Sequence, residues 1–452
     1  MKKNSDVNLL HGNLSRNLLS LAVPLMFLNL INSLYNVVDT YFVGQIGELQ
    51  VGAVSLVSPI MGCGNAFSAG LCAAGIAMIS RSLGEKDREK ANEIATHLIA
   101  LCVIMGLLIA VLCILFSDQI LEWLDTPAEI AGDTAAYFFG ISFDFLFLFI
   151  LSIFQAVRQS DGDTRTGVRL NALASLINVI LDPLLIFTFH MGTLGAALAT
   201  VLSKAVVTPF ALKKLFSDHH SVTVSFHRYR LRLKQMINII RIAIPASVGN
   251  FLSAFGFVIM AKNIVAYGPV ALSAYGIGNK IASVYYIPVN GVGTALSTFI
   301  GQALGARQEK TARQCYRIAI RNVAVIAAAV TVLGLLSARF LISISVRDAS
   351  DELMHLGLEY TYYSVCTSFF MGWYQNLCGV FNGSGNTSLT MFLSTFRLWG
   401  LRIPMITLFR LFTPMGPTGI WMSMVLSNLF ICLIGQILYH FYPWTGKGAH
   451  VD

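Results

Sequence analysis

The chain has 452 residues, 55% of them hydrophobic and only 12% charged, about half the charge content of an ordinary soluble domain. Its mean hydropathy of +0.67 excludes most soluble-enzyme classes. The net charge of +8 is a matter of where the basic residues fall, and it calls for no nucleic acid.

Taken in chain order, the polar start at Met1-Lys2-Lys3-Asn4 leads into an apolar run that ends at Asp39. No small-residue cleavage site precedes that run, so the first helix is expected to be retained. With about 20 residues needed per spanning helix, twelve apolar stretches are predicted to cross a bilayer. They are 17–44, 52–81, 92–116, 133–157, 166–189, 191–212, 237–262, 269–301, 314–337, 354–381, 388–410 and 416–442. The predicted fold class is an all-α integral membrane protein, its twelve transmembrane helices forming two homologous six-helix bundles in parallel repeat. An N-terminal lobe would cover 1–212, a basic cytoplasmic linker 213–236 and a C-terminal lobe 237–452.

Basic residues set the orientation. With the N-terminus in the cytoplasm, 23 of the 31 Lys and Arg residues lie in cytoplasmic segments, and only Lys262, Arg339, Arg347 and Arg410 lie opposite. That bias predicts both termini in the cytoplasm. Lys204, Lys280, Arg397 and Arg402 fall inside spans. The linker residues Arg228, Arg230, Arg232 and Lys234 are read as a loop beside anionic lipid. The eight cysteines are scattered and form no Cys-x-x-Cys pair, so they are read as small apolar residues.

The chain repeats itself. A shift of 221 residues aligns Pro24 with Pro245, Gly47 with Gly268, Gly70 with Gly291 and Ser82-Leu83-Gly84 with Ala303-Leu304-Gly305. At 223, Gly162-Asp163-Thr164 meets Gly385-Asn386-Thr387, and at 224 Val201-Leu202-Ser203 meets Val425-Leu426-Ser427. Two halves with an even helix number each start on the same side, which makes the repeat parallel and suits alternating access about a midplane site. No repeated filter-like loop supports a channel.

Differences between the halves point to the chemistry. Asp39 aligns with Met260, and Asp182-Pro183 with Ile403-Pro404. An intramembrane acid costs roughly 2.5–3.5 kcal/mol on insertion scales and defaults to a functional hypothesis. Counted at 1.5 Å per residue from the outer span ends, Asp39, Asp182 and Thr200 lie roughly 8–14 Å deep and can share one layer. Tyr35 precedes Asp39 by one turn and Asn178 precedes Asp182 by one turn, so each pair shares a helical face. Tyr137 reaches a similar depth. Two carboxylates in a poorly solvated cavity must take up a proton or share a cation; the Asn and Thr oxygens suit Na⁺, a hard cation. Pro24 and Pro183 are natural bend points.

These residues resemble the multidrug and toxic compound extrusion family, a class of twelve-helix secondary transporters with two six-helix lobes. The carriers are the Pro24 to Asp39 stretch, the Gln159-Ser160-Asp161-Gly162-Asp163-Thr164 turn with its echo Asn382-Gly383-Ser384-Gly385-Asn386-Thr387, and Asn178-x-x-x-Asp182-Pro183. In the branch with an N-lobe cation site, the resemblance implies that Asp39, Asn178, Asp182 and Thr200 line that site for H⁺ or Na⁺, with Tyr35 and Tyr137 beside it. A C-lobe sodium site is not carried over, because the seventh span lacks an acid and the tenth has only Glu359 near its start.

Lys204 lies one turn after Thr200 and is expected as a counter-ion to the acids; Lys280, Arg397 and Arg402 are candidates for substrate or counter-ion contact. Asp144 is expected to pair with a neighbouring polar or basic side chain. The expected activity is antiport that exports amphipathic organic compounds, driven by H⁺ or Na⁺, with no cofactor. The chain would act as a monomer among membrane lipids. A lipid-linked precursor flippase is the rival within the same plan, with the second-half basic residues serving a pyrophosphate. An intramembrane enzyme is the rival from another class. Against it, no metal-binding His spacing or Ser/His/Asp grouping occurs in the spans, only His97 lies well inside one, and no Walker-type phosphate loop is present.

Overall fold

The computed structural model describes residues 9–10, 12–124, 126–217, 222–345 and 350–445. Lys2, Lys3 and Arg347, named above, and Lys447, counted with the cytoplasmic basic residues, lie outside them. Among the described residues the fold is all helical, without a strand. In the first half, α1 (Leu14–Ile46), α2 (Glu48–Gly84) and α3 (Arg88–Leu115) are followed by the short α4 (Ser117–Trp123). Then come α5 (Ala131–Ser142), α6 (Asp144–Ser160), α7 (Thr164–Pro183), a π-helical turn Leu184–Thr188, and α8 (Gly192–Leu215). The second half holds α9 (Leu233–Val265), α10 (Pro269–Gly305), α11 (Glu309–Ser345), α12 (Asp351–Cys366) and α13 (Ser368–Gly383). It ends with α14 (Thr387–Thr395), a π-helical turn Phe396–Arg402, α15 (Ile403–Phe412) and α16 (Pro417–Phe441).

Every predicted span has a helical counterpart. Among the described residues nine helices are long and apolar enough by themselves to cross a membrane. The other three predicted spans correspond to α10, the α12–α13 pair and the broken α14–α15 rod.

Local chemistry sets the helix ends, and it does so twice. Asp87 accepts from Lys90 N–H at 2.9 Å to start α3, and Asp163 accepts from Thr166 N–H at 3.1 Å to start α7, which satisfies donors that the first turn leaves free. Lys86 and Arg307, related by the 221 shift, both adopt positive φ, at 61° and 56°. The next residues close the same 6→1 bond, Asp87 N–H to Ser82 O at 3.0 Å and Gln308 N–H to Ala303 O at 2.8 Å, a Schellman ending. Gly162 and Gly385 repeat this geometry at φ 84° and 80°. Even the breaks match: Phe143 separates α5 from α6, and Thr367, 224 residues on, separates α12 from α13.

The helices pack as two units. One comprises Phe27–Ser247, and the other the described residues of Asn8–Met26 with Val248–Asp452. Both boundaries inside helices fall two residues after the repeat prolines, Pro24 in α1 and Pro245 in α9. In the first unit the described part of the basic connection is strapped along α3. Asn92 Oδ1 accepts from Thr223 N–H at 2.8 Å, Thr96 Oγ1 from Ser225 N–H at 3.2 Å, and His97 Nε2 from Arg232 N–H at 2.9 Å. Buried Arg158 donates to Lys214 O at 3.2 Å and Val222 O at 3.1 Å, and Arg228 pairs with Glu89. His97 is thus used as a backbone anchor.

In the second unit α13 lies against α10 through small residues. A Cβ at Gly379 would sit 2.4 Å from Gly293 O, and one at Gly383 2.3 Å from Ser297 O. Both obstacles are backbone, so neither can swing aside; the pairing is the small-xxx-small contact by which apolar helices approach closely. Gly383→Val is therefore expected to cost at least about 2 kcal/mol by overpacking. Thermal unfolding of the detergent-solubilised protein measures this. Gly276→Ala on α10, where a Cβ meets open space, should leave the midpoint within about 1 °C.

Candidate functional site

The first unit encloses a cavity of about 430 Å³ between α1, α2, α5, α6 and α8. Tyr35 and Asp39 reach it from α1, Tyr137 from α5, Asp144 from the first turn of α6, and Thr200 and Lys204 from α8. Tyr35 and Asp39 are one turn apart on α1, as are Thr200 and Lys204 on α8, so each helix offers two groups to the same side. The two helices meet through Tyr35 Oη and Thr200 Oγ1 at 3.1 Å.

Asn178 and Asp182 do not line this cavity but join it through Thr200. Both are buried, Asp182 completely. With the Asn178 amide oriented by its neighbours, its nitrogen donates to Asp182 Oδ2 at 2.9 Å and its oxygen accepts from Thr200 N–H at 3.1 Å. Asp182 is also within electrostatic reach of Asp39. Asp39, Asn178, Asp182 and Thr200 thus occur together with Tyr35 and Tyr137. The chain continues from Pro183 into the π-helical turn. A proline has no N–H for the i−4 carbonyl and crowds it, and a widened turn is a common relief, frequent at functional sites.

Asp39 has no hydrogen-bond partner among the described residues. It lies within electrostatic reach of Tyr35, Tyr137, Asp182 and the Lys204 ammonium. Lys204 itself bonds Asp144, Nζ to Oδ2 at 2.6 Å, and Asp144 Oδ1 is buried without a partner among the described residues. Lys204 therefore lies between two acids, bonded to one and sensed by the other. The Asp144–Lys204 pair is the feature that sequence reasoning left apart. Its signal was available, since counting from the outer ends of spans four and six places both charges deeper than Asp39 and Asp182.

The second-half basic residues divide. Arg397 and Arg402 are buried and share Asn428 Oδ1, at 3.4 Å and 2.8 Å. Lys280 is exposed and has no part in those bonds. The two arginines are therefore core residues of the second unit, and Lys280 is apart from them. Several large aromatic residues within the spans are spent on core contacts: Phe138 and Phe149 are fully buried, and Trp373 Nε1 donates to Tyr316 Oη at 3.1 Å.

Chemically, two carboxylates and one ammonium line a pocket whose polar walls can hold water, with the Asp182 carboxylate buried behind it. Such a group takes up cations or protons to approach neutrality, and its donor set of carboxylate, amide and hydroxyl oxygens fits a hard cation.

Comparison with known proteins agrees with this architecture. The profile of the family described as MatE matches residues 24–184 and again 245–408, once in each half. The probable multidrug resistance protein YoeA of Bacillus subtilis is 23% identical over 437 residues, spanning 95% of this chain and 93% of its own. The multidrug export protein MepA of Staphylococcus saprophyticus is 26% identical over 341 residues, 74% of each chain. Among solved structures, an outward-facing multidrug resistance MATE transporter superposes with a TM-score of 0.92 at 22% identity, over 97% of this chain and 98% of the other. A superfamily transporter from Pyrococcus furiosus gives 0.91 at the same identity and the same coverage. With its two profile matches covering most of the chain, the protein is a member of the multidrug and toxic compound extrusion family of membrane transporters.

Proposed function

We propose that the protein is a secondary antiporter of the cytoplasmic membrane that exports amphipathic organic compounds in exchange for H⁺ or Na⁺. Both termini would lie in the cytoplasm, with residues 213–236 joining an N-terminal lobe of 1–212 to a C-terminal lobe of 237–452, and the chain working as a monomer. The observation that carries this reading is the cluster of Asp39, Asp144, Asp182 and Lys204 about one cavity. The repeat-related positions 260, 368, 403 and 428 are Met, Ser, Ile and Asn, so coupling chemistry would reside in one half only. The relatives named as multidrug exporters support the substrate class.

In the proposed cycle Asp39 and Asp182 collect the ion from outside, with Asn178 and Thr200 as further ligands or proton-bond partners. Neutralising the two acids removes their mutual repulsion and lowers the cost of holding them in a drier site. Lys204 can then give its charge wholly to Asp144. The repacking would be passed to Pro183 and the π-helical turn beside Asp182, where the helix bends most cheaply. Substrate leaves outward and the ion leaves inward in alternation.

Ethidium efflux from pump-deficient bacteria tests this. Cells expressing the protein should clear the dye several-fold faster than vector controls. Collapse by a protonophore would identify H⁺ as the driver, and a requirement for external Na⁺ would identify Na⁺. Efflux indifferent to both gradients would overturn the antiport reading.

A further inference from the structure

The second unit carries two buried guanidinium groups with no acid beside them among the described residues. Arg397 is 6% exposed and Arg402 1%. Arg402 donates from Nε to Ser427 Oγ at 3.0 Å and from Nη2 to Asn428 Oδ1 at 2.8 Å. Arg397 donates from Nη1 to the same Asn428 Oδ1 at 3.4 Å and to Met371 Sδ at 3.4 Å, with its guanidinium 4.6 Å from the centre of the Tyr374 ring. Its Nε is buried and has no acceptor among the described residues. Among the described residues neither arginine touches a carboxylate. Two permanent charges thus share one neutral amide oxygen, where buried charges are ordinarily paired. Arginine cannot escape by losing its proton.

The backbone has been reshaped to bring the two together. Arg397 and Arg402 are five residues apart, and in an α-helix that spacing turns side chains about 140° away from each other. They sit at the two ends of the π-helical turn Phe396–Arg402. A π turn closes i→i+5 bonds and stacks residues five apart, which explains why both guanidinium groups reach Asn428 on α16. Asn428 occupies the repeat position of Lys204, and Ser368 that of Asp144. The second half therefore lacks the first half's ion pair at these positions and carries two cations instead.

We propose that Arg397 and Arg402 form a binding site for an oxyanion group, a carboxylate or a phosphate. One oxygen would take the Arg397 Nε–H that has no acceptor and the other an N–H of Arg402, in the bidentate manner that suits guanidinium groups. The Tyr374 ring holds the Arg397 plane from one face. Asn428 bridges the pair while the anion is away. In the complete transporter the anion is a group on an amphipathic solute, and the site would make the protein selective for anionic or zwitterionic compounds over purely cationic ones. Binding is a property of the purified chain, so it can fail or stand without the antiport reading.

The test uses full-length protein in detergent, with thermal unfolding followed as inorganic phosphate or benzoate replaces chloride at constant ionic strength. At least one of them should raise the wild-type midpoint by about 2 °C or more, and neither should move the Arg397→Gln/Arg402→Gln variant. The responding probe tells phosphate from carboxylate. A short-chain phosphatidylglycerol acting in place of inorganic phosphate would assign a lipid headgroup as the source. Asn428→Asp supplies a resident carboxylate and guards against a double variant that does not fold. It should unfold at a higher temperature than wild type in chloride and lose the anion response. An unresponsive wild type, a response retained without the arginines, or an Asn428→Asp protein less stable than wild type would each overturn the proposal.

Discussion

Asp182→Asn is expected to reduce gradient-driven efflux at least about tenfold, a loss of about 1.4 kcal/mol or more in coupling, while the protein still folds and reaches the membrane. The side chain is completely buried, and Asn has nearly its shape. The amide can still accept from Asn178, whose oxygen remains bonded to Thr200 N–H. What it cannot do is hold a proton that leaves again, or lend a charge to Na⁺. Asp39→Asn should act in the same direction, since Asp39 lines the cavity and lies within reach of Asp182. Efflux assays normalised to membrane expression, with and without protonophore, measure both. Wild-type, gradient-sensitive efflux in Asp182→Asn would remove this acid from the mechanism.

A second large effect is expected on stability. Lys204→Met strands Asp144, whose side chain is 3% exposed and whose Oδ1 already has no partner. Breaking a buried ion pair from one side costs about 3–5 kcal/mol. The Lys204 side chain is 24% exposed to the cavity, so water can replace part of its charge and the low end, about 3 kcal/mol, is expected. Adding Asp144→Asn removes the uncompensated charge and should recover at least half of that loss. Unfolding midpoints of the two single variants and the double variant form the cycle. Strictly additive losses would show that the 2.6 Å contact carries no coupling.

The two predictions differ in how far the sequence reaches. Asp182 and Asp39 stand out in the bare sequence because the chain is duplicated and the copies disagree there, and because an acid within an apolar span is expensive wherever the helix faces. The grouping of Tyr35, Asp39, Asn178 and Asp182 follows from one-turn spacing and depth, and the structure places these residues about one site. The Asp144–Lys204 pair is different. Both residues are conspicuous, yet which of several charges each one meets depends on helix rotation, and rotation here is set by the break at Phe143 between α5 and α6. Arg397 and Arg402 make the same point more strongly. On a regular helix they diverge; on the π-helical turn they converge on Asn428.

The twelve spans, the two-fold repeat, the turn glycines and the acid-bearing half are determined by the sequence alone, because each rests on local composition, on one-turn periodicity or on comparing the chain with itself. Tertiary structure decides the strapping of the 222–232 segment along α3, the close α10–α13 contact through Gly379 and Gly383, and the partners of the charges at positions 144, 182, 204, 397 and 402. The physical reason is that hydropathy makes a lipid-facing residue and a core-facing one look alike. Only packed helices, with their breaks and π-helical turns, fix which side of each rod is turned inward and which distant charge it meets.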